Sequence, residues 1–305
     1  MSKATYKIEI KALLVYAEIL PYHPYVFRSL GSYYKELYQH KEALTHLLKA
    51  EELGIRTVDN LKDIAHCYRR VDNFSKALEY YLASEQKQPL DVWEVQDVAY
   101  CYRQLSDFKK SMEYYQKAAV LKPNDSWILD NIGWCYQKFD DYANALEHHL
   151  KAYQLANKDS WTLRNIGFCH QKLLQYKEAI TYYEMSLQQE PNNAFTLRKI
   201  GWCYVVEGKF DKARKALNQA IDAEPENDMN CYAWMNLGHT YWQGAHLHLI
   251  RDCYQKSVLI YSPNDFINDM NADYERIAKH TNVSLETYNQ MRDEVVDWKK
   301  QQADS

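Results

Sequence analysis

Apolar and polar positions along this chain repeat on two scales. Over short stretches, apolar side chains fall three and four apart, which is the spacing of one face of a helix. Over longer ones the whole pattern returns every 34 residues: NIGWCYQ begins at Asn131, NIGFCHQ at Asn165 and KIGWCYV at Lys199. With the glycine of NIGWC numbered position 8 of a 34-residue unit, that position reads Gly31, Ala65, Ala99, Gly133, Gly167 and Gly201. A small residue there lets two helices approach closely. Position 7 is always Leu, Ile or Val. Position 11 is Tyr34, Tyr68, Tyr102, Tyr136, His170 and Tyr204, and position 20 is Ala except at Ser111. Position 32 holds Pro89, Pro123, Pro191 and Pro225, a helix stop. Positions 4, 7, 8 and 11 make one helical stripe and positions 17, 20, 24 and 27 a second. The unit is therefore two antiparallel helices joined by a polar turn near position 15. One such hairpin cannot bury its apolar face alone, and stacking on its neighbours does so.

The unit length and the residues at positions 8, 11, 20 and 32 resemble the tetratricopeptide repeat; the sixth unit carries the pattern in Gly201, Tyr204, Ala213 and Pro225. Position 4, usually Trp in that family, holds Phe27, Leu61, Val95, Leu129, Leu163 and Leu197, an apolar exchange. Six units run as 24–57, 58–91, 92–125, 126–159, 160–193 and 194–227, and a seventh, 231–264, keeps Trp234, Gly238 and Tyr241 in register but has Ile250 at position 20, so that its second helix is expected to pack differently. The resemblance implies an all-α, right-handed solenoid of about seven helix-turn-helix repeats. Residues 1–23 are expected to supply an N-terminal capping helix and 265–305 C-terminal capping helices. The last helix has Ser284 as N-cap and a stripe of Tyr288, Met291, Val295 and Trp298. That stripe reads as a lid on the final repeat, with a dimer seam as the alternative.

Composition excludes more than it assigns. The chain has 37 Lys+Arg against 41 Asp+Glu, a formal net charge of −4, which gives no bulk affinity for nucleic acid or anionic membrane. No secretory segment opens it and no apolar run approaches the ~18 residues of a membrane span, so a cytoplasmic protein is expected. Five cysteines, Cys67, Cys101, Cys135, Cys169 and Cys203, all fall at position 10. They read as small buried residues rather than a metal or redox ladder, since equivalent helices of adjacent repeats lie about 9–10 Å apart, beyond the ~7 Å reach of a disulfide. His148 and His149 are adjacent and His246 and His248 two apart, which is wrong for one helical face. Zinc, nucleotide and nucleophile motifs do not occur. No catalytic, metal or cofactor residue is assigned, and the chain is expected not to be an enzyme.

What remains is the wall that the first helices of such repeats present, which the resemblance implies is concave and lined by positions 2, 5, 6, 9, 12 and 13. Large aromatics crowd it: Trp93, Trp127, Trp161 and Phe195 at position 2, with Tyr100, Trp134, Phe168 and Trp202 at position 9. Such rows are uncommon on a surface that meets only water and are the residue types of binding hot spots; packing against one another or against the C-terminal helices is the competing account. Over these positions eleven cations face five anions, the cations including Lys138, Arg164, Lys172, Arg198 and Lys199. A cleft of one sign concentrates ligands of the other. Asn131, Asn165 and Asn236 occupy position 6, where an amide can pair both groups of a passing backbone. The expected function is a protein-interaction scaffold that holds an acidic, extended peptide between these residues. Single-stranded nucleic acid, stacked on the aromatics, is the alternative; Asp59, Asp63, Asp97 and Asp130 oppose it by repelling phosphate. The carboxylate clamp of chaperone-binding members of the family needs Asn at position 9, which this chain never has.

Overall fold

A computed structural model describes residues 3–155 and 158–303. The expected terminal segments 1–23 and 265–305 include residues 1, 2, 304 and 305, and the expected repeat 126–159 includes 156 and 157; these six lie outside the described residues. Among the described residues the chain is helical throughout, with no strand. It divides into two compact units, Met1–Phe139 and Asp140–Ser305.

In the first unit, α1 (Lys3–Ile19) packs on the hairpin of α2 (Pro24–Glu36) and α3 (His40–Glu52). The hairpins α4 (Val58–Arg70) with α5 (Phe74–Glu85) and α6 (Val92–Gln104) with α7 (Phe108–Leu121) follow, and α8 (Ser126–Lys138) closes the unit. In the second, α9 (Tyr142–Leu155) packs on the hairpin of α10 (Ser160–Lys172) and α11 (Tyr176–Gln189). Two more hairpins are α12 (Ala194–Val206) with α13 (Phe210–Ala223) and α14 (Asn230–Thr240) with α15 (Leu247–Ile260). Two longer helices end the chain, α16 (Pro263–Thr281) and α17 (Leu285–Ala303).

The 34-residue period has a physical cause at each position. Most first helices begin at a side-chain cap: Thr57, Asp91, Asp125, Asp159 and Asn193 each accept a hydrogen bond from an amide of the first turn. Asp91 and Glu94 form a reciprocal capping box. Each hairpin then turns through one left-handed residue at position 15: Tyr38, Asp72, Ser106, Asp140, Leu174, Gly208 and Ala245 have φ of 62, 59, 62, 56, 62, 68 and 49°. Position 8 meets position 24 across the hairpin. A Cβ on Gly167 would stand 2.8 Å from the ring of Tyr183, and one on Gly201 would stand 2.6 Å from Leu217. Position 11 stacks on position 23: Tyr34 on His46 (5.3 Å), Tyr68 on Tyr80 (5.7 Å), Tyr102 against Tyr114 (5.6 Å) and His170 on Tyr182 (5.4 Å). The aromatic at position 11 is therefore a fastener inside each hairpin. Ile250, where the other repeats carry Ala or Ser, is fully buried, and a short 3-10 turn at Trp242–Gly244 precedes α15.

The C-terminal helices pack within the chain. Tyr288, Met291 and Val295 are buried in the core of the second unit with Val296, and Trp298 packs against that core. Helix α17 covers α15 as a lid. Helix α16 takes a different place: it crosses the first-helix side of α12 and α14, burying Phe266, Met270 and Ile277.

Candidate functional site

In the first unit the position-9 aromatics are anchored rather than standing free. Tyr100 meets Phe74 edge to face (5.9 Å, 71°) and Trp134 meets Phe108 in the same way (5.6 Å, 77°), so position 9 of one repeat packs on position 17 of the repeat before it. The exposed faces carry cations. The Arg103 guanidinium lies 4.8 Å from the Tyr100 ring and 5.0 Å from that of Trp134, and Lys138 Nζ lies 4.7 Å from Trp134 and 5.5 Å from Phe108. Trp127 sits edge-on to Tyr115, while Trp93 is 64% exposed beneath Lys122. The expected backbone clamp at Asn131 is corrected. The residue is buried, its Oδ1 accepts from Arg103 (2.8 Å) and its Nδ2 donates to the carbonyl of Trp127 (2.8 Å), so its amide holds the arginine in place. Nearer the N-terminus the inner cations already have carboxylates: Arg28 and Lys35 pair with Asp63, Lys62 with Glu94 and Arg69 with Asp97.

The second unit repeats the scheme. Phe168 meets Tyr142 edge to face (5.9 Å) and lies beneath both Lys172 (5.6 Å) and Lys199 (5.5 Å); Lys199 also lies 5.5 Å from Phe195. Trp161 is half-buried against His149 (6.1 Å) and Trp202 against His239 (6.3 Å). Of the cations read on this wall, the two arginines have carboxylate partners. Arg164 reaches Glu190 at 3.8 Å, and Arg198, 9% exposed, donates to Glu224 at 3.3 Å and to Asn230 at 3.4 Å. Lys172 and Lys199 have no such partner among the described residues. Burial, reinforced by the charges of Lys172 and Arg198, holds the Lys199 ammonium below its ordinary pKa. Asn165 Nδ2 and Asn236 Oδ1 are buried without a hydrogen-bond partner.

A cavity of about 450 Å³ opens beside these residues, lined from α10 by Lys172, from α12 by Phe195, Arg198, Lys199 and Trp202, and from α14 by Asn236. The fourth wall is α16, through Asp269, Asp273 and Arg276. That helix is fastened from inside: Asp273 lies 3.5 Å from His239 Nε2 and 3.4 Å from Arg276, Asp269 accepts from the Tyr261 hydroxyl at 2.6 Å, and His280 Nε2 donates to the Val206 carbonyl. Six of the residues assigned from sequence thus meet at one cavity. The three from α16 were not assigned, because α16 follows the last repeat and has no register from which to read its inward face. The position-10 cysteines are buried and outside any disulfide, with Cys67, Cys101 and Cys203 pushed up to about 12 chiefly by burial.

Residues 159–226 and 96–125 each match a family model described as tetratricopeptide repeat. No curated protein matches the chain. Among solved structures it is similar to a chain of the APC/C hetero-tetramer Cut9–Hcn1 at 19% identity and a TM-score of 0.56, over 76% of this chain and 46% of that one. The present chain therefore spans less than half of that relative. It is also similar to PilF of Pseudomonas aeruginosa (18% identity, TM-score 0.56, 68% of this chain and 94% of that one). A third is YrrB, described as a TPR protein with an unusual peptide-binding site (19%, 0.51, 61% and 96%). At these identities the likeness shows the fold alone.

Proposed function

Since this chain is a tetratricopeptide-repeat protein, built on a fold whose members are protein-interaction scaffolds, we propose that it binds an acidic, extended peptide along the first-helix faces of its repeats and catalyses no reaction. The observation that carries this reading is the set of cations lying on anchored aromatics without carboxylate partners among the described residues: Arg103 and Lys138 in the first unit, Lys172 and Lys199 in the second. An ammonium or guanidinium over a ring is held in place while its charge stays largely unneutralised. An incoming carboxylate gains that charge without an ordering cost, and the ring beside it accepts the apolar part of the same residue. The peptide-binding site named for YrrB gives the reading a precedent on a similar fold. Buried cysteines outside any disulfide at seven positions suit a reducing compartment, and the cytoplasm is proposed. Among the described residues no helix is long and apolar enough to cross a membrane.

The experiment is a titration, by fluorescence anisotropy, of a labelled decapeptide alternating Glu and Phe against a labelled oligothymidylate of similar length, each at low and moderate salt. Tighter binding of the peptide, with a shallow salt dependence, is expected. Tighter binding of the oligonucleotide, with the steep loss in salt that phosphate contacts produce, would overturn the proposal in favour of nucleic acid.

A further inference from the structure

The cavity beside α16 has a charge imbalance and an unmet hydrogen bond, and together these define what fits it. Four cations and two carboxylates line it. Arg198 is neutralised by Glu224 from outside the cavity, and Arg276 by Asp273. Asp269 accepts from the Tyr261 hydroxyl, which does not cancel its charge, so it offsets one of the remaining cations and the surplus is one positive charge. Lys172 and Lys199 are left, 5.6 and 5.5 Å from the centre of the same Phe168 ring and close enough for the charge of one to act on the other. Two like charges over one ring repel each other, and a single carboxylate between them would relieve the repulsion. Asn236 is 7% exposed, lines the same cavity, and its Oδ1 has no partner. A buried acceptor without a donor is destabilising, and a donor on the ligand would relieve that cost. Phe195 and Trp202 supply apolar walls. A ligand that matches all of this carries one carboxylate, one N–H and an apolar stem between them.

We infer that the cavity between α10, α12, α14 and α16 is the seat of a single Glu or Asp of the bound peptide. Its carboxylate lies between Lys172 and Lys199, its methylene stem lies against Phe195 and Trp202, and its backbone N–H donates to Asn236 Oδ1. This rests on the peptide reading above and narrows it to one residue of the ligand. The α16 wall adds selectivity: the carboxylates of Asp269 and Asp273 border the cavity and disfavour a doubly charged phosphate where one carboxylate is tolerated. The depressed ammonium of Lys199 adds a pH signature, since affinity must fall as pH rises through a pKa below the ordinary 10.5.

The test uses the full chain and the Glu/Phe decapeptide, with its Gln/Phe counterpart as the neutral probe. Variants are Lys172→Gln/Lys199→Gln at the cavity and Arg103→Gln/Lys138→Gln in the first unit, each checked for unchanged helicity by circular dichroism. The cavity pair is expected to lose about tenfold or more in affinity for the Glu peptide. The Gln peptide, which needs no variant to fold, is expected to bind wild type as weakly as the Glu peptide binds the cavity pair. If the cavity pair binds like wild type while the first-unit pair loses the peptide, the inference fails and the peptide reading stands. If wild type does not distinguish the Glu from the Gln peptide, both fail. Displacement of the Glu peptide by N-acetylglutamate amide at concentrations no higher than the peptide itself would overturn the peptide assignment in favour of a small carboxylate.

Discussion

At the scale of single residues, two contacts of the repeat can be tested directly. Position 15 takes a left-handed conformation in every repeat, and Leu174 (φ 62°) fills it with a side chain that is 64% exposed. An L-residue there is strained by roughly 1–2 kcal/mol, while glycine in the unfolded chain carries an entropic penalty of about 0.5–1 kcal/mol. Leu174→Gly is therefore expected to raise the melting temperature slightly, and a lower one would show that the exposed leucine packs more than its burial implies. At position 8 the sign reverses. Gly167→Leu would drive a branched side chain into the Tyr183 ring, already 2.8 Å from a bare Cβ, and is expected to cost about 1–3 kcal/mol or more by thermal melt. The close approach at position 8 and a turn near position 15 were legible in the sequence, because a 34-residue period fixes which residues meet inside a hairpin; the left-handed φ at position 15 was not, because Tyr38, Leu174 and Ala245 there carry no turn signature. The partner of Asn131 was not legible. Whether its amide faces a ligand or Arg103 depends on a side chain 28 residues away whose rotamer no period records.

At the scale of elements, the contrast lies between helices inside the period and helices after it. The stripe of α17 identified its own buried face, and that face packs on α15 within the chain. Helix α16 carries a stripe just as clear in Phe266, Met270, Tyr274 and Ile277, but a stripe states only that a helix is covered on one side, not by what. Its route over α12 and α14 follows from contacts that no repeat position encodes: Asp273 with His239, and His280 with the Val206 carbonyl. Met270 is fully buried beneath this helix. Met270→Ala is expected to cost about 2–5 kcal/mol and to raise hydrogen exchange first along 263–281. Uniform loss of protection across α10 to α15 would show instead that α16 is integral to the stack. Asp273→Asn tests the fastening more gently, because it keeps the volume and removes the charge facing His239 and Arg276; a smaller loss is expected, confined to the same segment.

At the scale of the whole molecule, both units bury the same kind of acid. Free thiols lie inside each, with Cys67 and Cys101 in the first unit and Cys203 and Cys253 in the second pushed from 9.0 up to about 12 chiefly by burial. The phenols of Tyr81 in the first unit and Tyr183, Tyr254 and Tyr288 in the second are held well above 10 for the same reason. In each case the folded state favours the protonated form, so the unfolded state releases protons first as pH rises. The stability these groups contribute is fully present below pH 9 and is lost progressively as pH climbs through the unfolded values towards 12. Alkaline unfolding in that window is therefore expected, at a lower pH than for a chain whose thiols and phenols are exposed. Two readouts should move together: reaction of the thiols with a disulfide reagent, negligible in the native protein near neutrality, and the phenolate absorbance near 295 nm. If the buried tyrosines ionise gradually around pH 10 while helicity is retained, the interior is more open to water than the packing shows. A sharp rise in phenolate that coincides with loss of helicity is the expected result, because those protons cannot leave until the hairpins that hold them come apart.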